Sequence, residues 1–173
     1  MKKTLLPIIL FFTINWVDAQ NKKNDLIITG GWGINAKSIS QTVHYDIPDY
    51  WGYNINVDRH LSKRTLVGLG FMYQEFENYR YNGKTYHYGK YYTNARVRLL
   101  VNWINKPSIN IYSCLAAGFT YDSEEFDFAK YQLQGLIGSR YYLNESISLN
   151  LEAGLGYPYF ASAGVSYRIR KNN

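Results

Sequence analysis

Residues that commonly perform catalysis are present in this chain, but their spacing matches no catalytic motif. Residues 30–33 (GGWG) are glycine-rich like a phosphate-binding loop, yet no helical pattern follows them to complete an anion site. Ser162 has Gly164 two residues after it but Phe160 two residues before it, so the nucleophile-elbow pattern is missing. No Ser-His-acid order is readable either. We therefore predict no catalytic residue, no cofactor and no enzyme activity.

Histidines and one acidic segment are the candidates for metal binding. His44, His60 and His87 stand far apart, without the paired spacing with which a single element holds a metal ion. Residues 122–127 (DSEEFD) carry carboxylates that suit a hard cation, although a solvated acidic loop is the simpler interpretation. We therefore predict no metal site.

A segment over residues 79–88 combines tyrosine with basic and amide side chains. Such side chains make adaptable contacts at a low cost in conformational entropy, and binding loops share this composition. The segment predicts a binding surface, while the alternative is an extended hairpin whose aromatic side chains pair across two strands. The candidate binding residues are Tyr79, Arg80, Tyr81, Lys84, Tyr86, His87 and Tyr88.

The elements that must position these residues are clearest between Ile147 and Ile169. Apolar residues alternate there with polar residues and glycines. Because a strand points successive side chains to opposite faces, the segment predicts a hairpin with one apolar and one polar face. The apolar face has no charge and carries aromatic residues near its ends. This is typical of a barrel strand with lipid outside and a polar interior.

Six further segments alternate in the same way, which gives eight predicted strands. Their lengths are close to the ~9–11 residues that cross a bilayer obliquely. We therefore predict an all-β fold, an eight-stranded antiparallel up-and-down transmembrane β-barrel, with short periplasmic turns and long outer loops. The six segments are 26–35, 51–61, 66–74, 91–103, 109–121 and 131–143. The short connections are 62–65, 105–108 and 144–146, the long ones are 36–50, 75–90 and 122–130, and a tight turn surrounds Pro158.

The polar face predicts a crowded interior. Most of the 14 glycines fall on this face. Since a barrel of about eight strands is only just wide enough for side chains, its glycines make room for larger residues. Confined charges need partners, and Asp58 and Glu152 are the acids available to the arginines. The predicted polar network of the lumen is Asp58, Arg96, Arg98, Arg140, Glu152 and Arg168.

The N-terminal segment predicts export. Lys2 and Lys3 precede an apolar stretch over residues 5–12, and Val17 and Ala19 supply small residues before cleavage at Gln20. A first transmembrane helix is the alternative, but the stretch is shorter than the ~20 residues that span a bilayer. We therefore expect residues 1–19 to be a signal peptide and residues 20–173 to form one barrel domain.

The composition agrees with an exported barrel. The 18 tyrosines and four tryptophans suit bilayer interfaces, where a ring meets an apolar and a wet side. Cys114 is the only cysteine, so no intramolecular disulfide forms. The net charge of +6 is modest and dispersed, and we expect no nucleic-acid partner.

Two Gly-x-Gly-aromatic strings, 68–71 (GLGF) and 154–157 (GLGY), add to the pattern and the strand count. Together these features resemble the small eight-stranded outer-membrane barrels of Gram-negative bacteria, OmpX/OmpA-like in architecture, over residues 20–173. The resemblance implies the cell outer membrane as the location, outer-membrane lipid and the barrel-insertion machinery as partners, and a monomer. Such barrels usually end on an aromatic residue, whereas Ile169 is followed here by RKNN.

We expect such a barrel to have a structural or loop-mediated binding or adhesion role, with an extracellular ligand held by its long loops. An outer-membrane barrel enzyme that acts on lipid is one alternative. A narrow solute or ion path through the arginine-lined lumen is another, which the small interior disfavours. A secreted, lipocalin-type barrel with reversed faces is the last alternative, and Leu149, Leu151 and Val165 would line its apolar cavity.

Overall fold

Eight strands make up nearly all of the described chain, and none of the described residues is helical. The structure is a computed structural model that describes residues 25–35, 51–81, 84–122, 127–156 and 159–170. No helix within these ranges is long and apolar enough to cross a membrane. The strands are β1 (Leu26–Asn35), β2 (Trp51–His60), β3 (Thr65–Tyr81), β4 (Lys84–Asn105), β5 (Ile109–Asp122), β6 (Asp127–Tyr142), β7 (Ile147–Gly156) and β8 (Tyr159–Ile169).

The strands form one closed antiparallel barrel. Each strand pairs with its neighbour in sequence, and β1 also pairs with β8, so that Leu26 lies opposite both Arg59 and Ile169. The predicted fold class, an eight-stranded up-and-down barrel, is confirmed. The predicted signal peptide and the turn near Pro158 lie outside the described residues.

Side chains alternate between the two surfaces of the barrel wall as the sequence predicts. On β6, for example, Leu133 and Ile137 are exposed on the outside, whereas Gln134 and Leu136 are buried in the lumen. The outer surface is apolar and the lumen is filled mainly by polar and charged side chains. The reversed, lipocalin-type alternative is therefore wrong. Its proposed cavity residues Leu149, Leu151 and Val165 all lie exposed on the outer surface.

Three short turns lie at one end of the barrel, which we call the short-turn end. Side-chain hydrogen bonds help to close two of these turns, as they commonly do in tight turns. The hydroxyl of Ser62 accepts hydrogen bonds from the backbone N–H groups of Arg64 and Thr65. The side-chain oxygen of Asn144 accepts from the N–H groups of Ser146 and Ile147. Because β1 starts and β8 ends at this same end, it also holds both ends of the barrel sequence.

The predicted long loop over residues 75–90 is wrong, because its backbone is strand. β3 continues to Tyr81 and β4 starts at Lys84, and the two pair along this extension with one register shift. β2 pairs with β3 only as far as Tyr73, and β5 pairs with β4 only as far as Tyr92. The extension is therefore a two-stranded ribbon that continues past the described pairing of the barrel wall, and we call residues 75–81 and 84–90 the ribbon. The predicted loop 122–130 also shortens, since β6 begins at Asp127.

A second register shift changes which residue of β8 faces the lumen. The pairing of β1 with β8 moves from Ile34–Ala161 to Asn35–Tyr159, so one residue of β8 is skipped. Such a bulge reverses the alternation of side chains beyond it. Tyr159 consequently points into the lumen and is fully buried, whereas the regular alternation of the sequence would have placed Phe160 there.

Candidate functional site

Two acids and two arginines form an ion-paired cluster in the middle of the lumen. Nε of Arg98 lies 3.1 Å from Oδ1 of Asp58, and Nη2 of Arg98 lies 2.5 Å from Oε1 of Glu152. Nη2 of Arg140 lies 2.7 Å from Oδ2 of Asp58. All four side chains are buried, so these charges are held together away from solvent. The structure thus brings four of the six predicted network residues together.

The other two predicted network residues, Arg96 and Arg168, have no carboxylate within ion-pairing distance among the described residues. Arg96 donates to the side-chain oxygens of Asn56 and Asn94 at 3.0 and 3.1 Å. The guanidinium of Arg168 lies 4.1 Å from the ring centroid of Tyr142, a cation–π contact. Arg96 and Arg168 lie towards opposite ends of the lumen.

Two tyrosines, which the sequence reasoning missed, complete the central cluster. The hydroxyl of Tyr159 donates to Oε2 of Glu152 and accepts from Nη2 of Arg96 at 3.1 Å and Nη1 of Arg98 at 3.4 Å. The hydroxyl of Tyr112 lies 2.7 Å from Oε1 of Glu152. Tyr112 shares its strand face with Asn110 and Cys114, so alternation alone would have found it. Tyr159 is hidden from that reasoning by the bulge in β8.

Glycine makes room for one of these tyrosines. A β-carbon at Gly138 would collide with the ring of Tyr112, and the ring and hydroxyl atoms Cε2 and Oη would lie within 2.6 Å of it. Side chains approach Gly138 this closely because it faces the lumen directly opposite Tyr112 on β5. The guanidinium of Arg140 stacks on the same ring, 4.6 Å from its centroid. Glycine at this position therefore allows the cluster to pack.

The cluster leaves no reactive group open to a substrate. Glu152 accepts hydrogen bonds from Arg98, Tyr112 and Tyr159, so its carboxylate oxygens are already occupied. Cys114 is buried within the lumen. Within the described ranges, no three His, Cys, Asp or Glu side chains cluster closely enough to hold a metal ion. The arrangement suits a rigid polar filling that links strands across the lumen.

The predicted binding residues lie on the ribbon. Its backbone register sets Tyr79 opposite Tyr86 and Tyr81 opposite Lys84, and Arg80 lies opposite Thr85. The register also places His87 opposite Asn78, and Tyr88 lies one residue further along β4. The side chains of the ribbon lie outside the part of the chain that the structure describes. Residues 123–126 of the acidic segment and His44 also lie outside it.

Solved structures resemble this barrel, whereas the sequence comparisons found no match. No protein-family model matches the chain, and no curated protein sequence matches it. A structure from a study on the de novo design of transmembrane β-barrels has a TM-score of 0.56 at 15% identity, covering 86% of this chain and 98% of its own. The de novo designed TMB2.3 has a TM-score of 0.52 at 18% identity, covering 88% and 99%. The outer membrane protein Ail of Yersinia pestis has a TM-score of 0.53 at 13% identity, covering 86% and 100%. The chain therefore has the fold of small transmembrane barrels.

Proposed function

We propose that this chain is an integral outer-membrane barrel without catalytic activity, in which a rigid scaffold presents the ribbon at the cell surface. One observation carries the proposal. Exposed apolar residues cover the outside of the barrel wall, while the charged side chains described on its strands are buried inside, except for Arg59 near the short-turn end. A water-soluble barrel would expose the charges and bury the apolar residues.

The height of the apolar wall matches a bilayer. Aromatic residues flank it at both ends, for example Tyr131 and Tyr141, which are ten residues apart on β6. At a rise of ~3.3 Å per residue this spacing is about 33 Å along the strand. A strand tilt of about 40° reduces it to roughly 25 Å, which is the height of the apolar band of outer-membrane barrels. We therefore propose that outer-membrane lipid surrounds this apolar surface.

The filled lumen favours a scaffold role over a solute path or an enzyme site. Arg98 and Arg140 fill its middle and have no exposed side-chain surface. Their ion pairs with Asp58 and Glu152 cross the interior, which leaves little room for a solute. Both acids of this cluster are already engaged, Asp58 by two arginines and Glu152 by three side chains.

The ribbon is the proposed binding surface. In this class of barrel the short turns face the periplasm, which directs the opposite end, and with it the ribbon, away from the cell. Beyond Tyr73 and Tyr92 the outer edges of the ribbon have no strand partner among the described residues. Seven of its residues (Tyr79, Arg80, Tyr81, Lys84, Tyr86, His87 and Tyr88) combine aromatic and basic groups, which suit an extracellular ligand. Insertion by the barrel-assembly machinery as a monomer belongs to the same proposal.

Fractionation of a Gram-negative host tests the location. We expect the protein to stay in outer-membrane fractions after an alkaline wash, and to migrate faster on a gel when unboiled than when boiled. Recovery of the mature protein as a fully soluble monomer would overturn the proposal.

Two further experiments test the alternatives. Mass spectra of lipid A from cells with and without the protein test for an enzyme that acts on lipid, and we expect the spectra to match. Planar-bilayer currents with and without the protein test for a solute or ion path, and we expect no conductance steps.

A ribbon variant tests the binding role separately. Residues 79–88 would be replaced by a two-residue turn, and folding would be checked by the same gel shift. We expect the variant to fold, because the residues removed lie beyond the part of the wall that pairs with β2 and β5. Cells carrying it should lose surface adhesion that the full barrel confers. Unchanged adhesion with a folded variant would contradict the binding role while leaving the membrane location intact.

A further inference from the structure

The short-turn end of the lumen has a bottom layer of inward side chains, defined by backbone contacts. His60 is the last residue of β2, and its N–H donates to the carbonyl of Asp25. The N–H of Asn102 donates to Arg64 in the first short turn. The N–H groups of Tyr142 and Arg168 donate to Ser108 and Ser146 in the other two turns. His60, Asn102, Tyr142 and Arg168 therefore form one layer, which we call the bottom layer.

Arg140 reaches this layer from the layer above. It lies two residues before Tyr142 on β6, and it is close enough to His60 for a direct charge interaction, as is Arg168. Tyr142 is also close to Arg140, and its ring centroid lies 4.1 Å from the guanidinium carbon of Arg168. The guanidinium groups of Arg140 and Arg168 therefore both lie near His60 and Tyr142.

Five buried donor atoms at this end have no hydrogen-bond partner among the described residues, and the acceptors Oδ1 of Asn102 and Oδ1 of Asn110 are also unpartnered there. Nε and Nη1 of Arg140, Nε of Arg168, Oη of Tyr142 and Nδ2 of Asn102 are buried and have no hydrogen-bond partner within the described chain. All four residues are more than nine-tenths buried. Unpartnered buried donors cost free energy, and in native proteins a water molecule or an ion usually satisfies them.

The charges of the lumen favour an anion over water alone. Among the side chains whose burial the structure describes, four arginines and three acidic residues are buried, which leaves one positive charge in excess when His60 is neutral. Arg168 has no carboxylate within ion-pairing distance in the described ranges, and Asp58 is already shared between Arg98 and Arg140. An uncompensated charge in a low-dielectric interior is costly.

We propose that the bottom layer binds one small monovalent anion of the size of chloride, held between Arg140 and Arg168. The donors of Tyr142 and Asn102 complete its coordination. Asp25, the residue before β1, lies close to His60 and limits the positive charge, which disfavours a second anion. The site concerns the interior of the barrel and does not depend on where the protein resides.

Bromide replaces chloride and scatters anomalously, so crystals of the refolded barrel grown in bromide test the site directly. We expect an anomalous peak within hydrogen-bond distance of Arg140 and Arg168. A bottom layer with water peaks alone, and no anomalous signal, would overturn the proposal.

Halide-dependent stability supplies a second test in solution. At constant ionic strength with gluconate as the replacing anion, the unfolding midpoint should rise with chloride, by roughly 5–11 °C at a hundred times the dissociation constant. Arg168→Gln should abolish this rise. Arg96→Gln is the matched control, because Arg96 is also buried without a carboxylate but lies towards the other end of the lumen, and it should keep the rise. The proposal would also be overturned if chloride did not raise the unfolding midpoint of the unmodified protein. An equal rise in Arg168→Gln and Arg96→Gln would overturn it as well.

Discussion

Arg98 on β4 and Glu152 on β7 face each other across the lumen, with Nη2 of Arg98 2.5 Å from Oε1 of Glu152. Two strands separate β4 from β7 on one side of the barrel and four on the other. The pair therefore joins walls that no backbone hydrogen bond connects. Asp58 on β2 extends the connection, because it bonds both Arg98 and Arg140. The barrel is closed by its backbone and tied across its interior by charge.

Glu152→Gln should strongly destabilise the barrel. Removing one partner of a buried ion pair leaves the other charge buried, which costs about 3–5 kcal/mol. The free energy of unfolding in urea, measured on protein folded into lipid vesicles, checks this value. Glu145→Gln is the control, since Glu145 pairs with Arg170 at 2.6 Å but on the exposed surface. It should cost less than about 1 kcal/mol, and similar losses in both variants would contradict the role of the network.

Tyr159→Phe should destabilise the barrel by about 1–3 kcal/mol, because it removes a buried hydroxyl that links Glu152 with Arg96 and Arg98. Tyr167→Phe provides the comparison, since Tyr167 lies on the same strand but is exposed on the outside. Its hydroxyl should contribute little. Unfolding curves of the two variants, recorded by tryptophan fluorescence, separate the two positions. Equal midpoints would show that the Tyr159 hydroxyl is not part of a stabilising network.

Strand alternation is a local property, and for this reason the sequence alone predicts which residues face the lumen over most of the barrel. It does not predict Tyr159, because a bulge opposite Asn35 reverses the alternation and nothing in the composition of β8 marks the skipped residue. It also does not predict which arginine meets which acid. Arg98 and Glu152 are 54 residues apart. Their meeting depends on the stagger between strands, which closure of the whole barrel sets.

The ribbon is a second place where the sequence prediction and the structure differ. Residues 75–90 are polar and aromatic without the clear apolar face of the wall, so the sequence favours a loop there and leaves an extended hairpin as the alternative. Strand pairing needs no apolar face when two strands are already aligned by the wall beneath them, and tyrosine and threonine favour strands. β3 and β4 therefore continue past the wall in the same antiparallel pairing, with a single register shift after Phe76.

Gly138→Ala should destabilise the barrel, whereas Gly135→Ala on the same strand should not. The added methyl group at Gly138 meets the ring of Tyr112, which is also held by the stacked guanidinium of Arg140. Overpacking of this kind costs about 1–3 kcal/mol. At Gly135 a β-carbon has no atom within 4 Å, because that residue faces outward. The two unfolding free energies in vesicles check the difference, and a larger loss at Gly135 would contradict the assignment of the two faces.

Ile137→Arg should test whether the outer wall meets lipid. Ile137 is 68% exposed and lies between the flanking residues Tyr131 and Tyr141 on β6. An arginine near the middle of a bilayer costs about 2–4 kcal/mol, and near the interface about 0–1 kcal/mol. Leu143→Arg is the matched control, since Leu143 is also exposed but lies past Tyr141 at the short-turn end. In vesicles, Ile137→Arg should therefore lose more free energy of unfolding than Leu143→Arg. If water covered this surface instead, both arginines would be solvated, and the two variants would be equally stable.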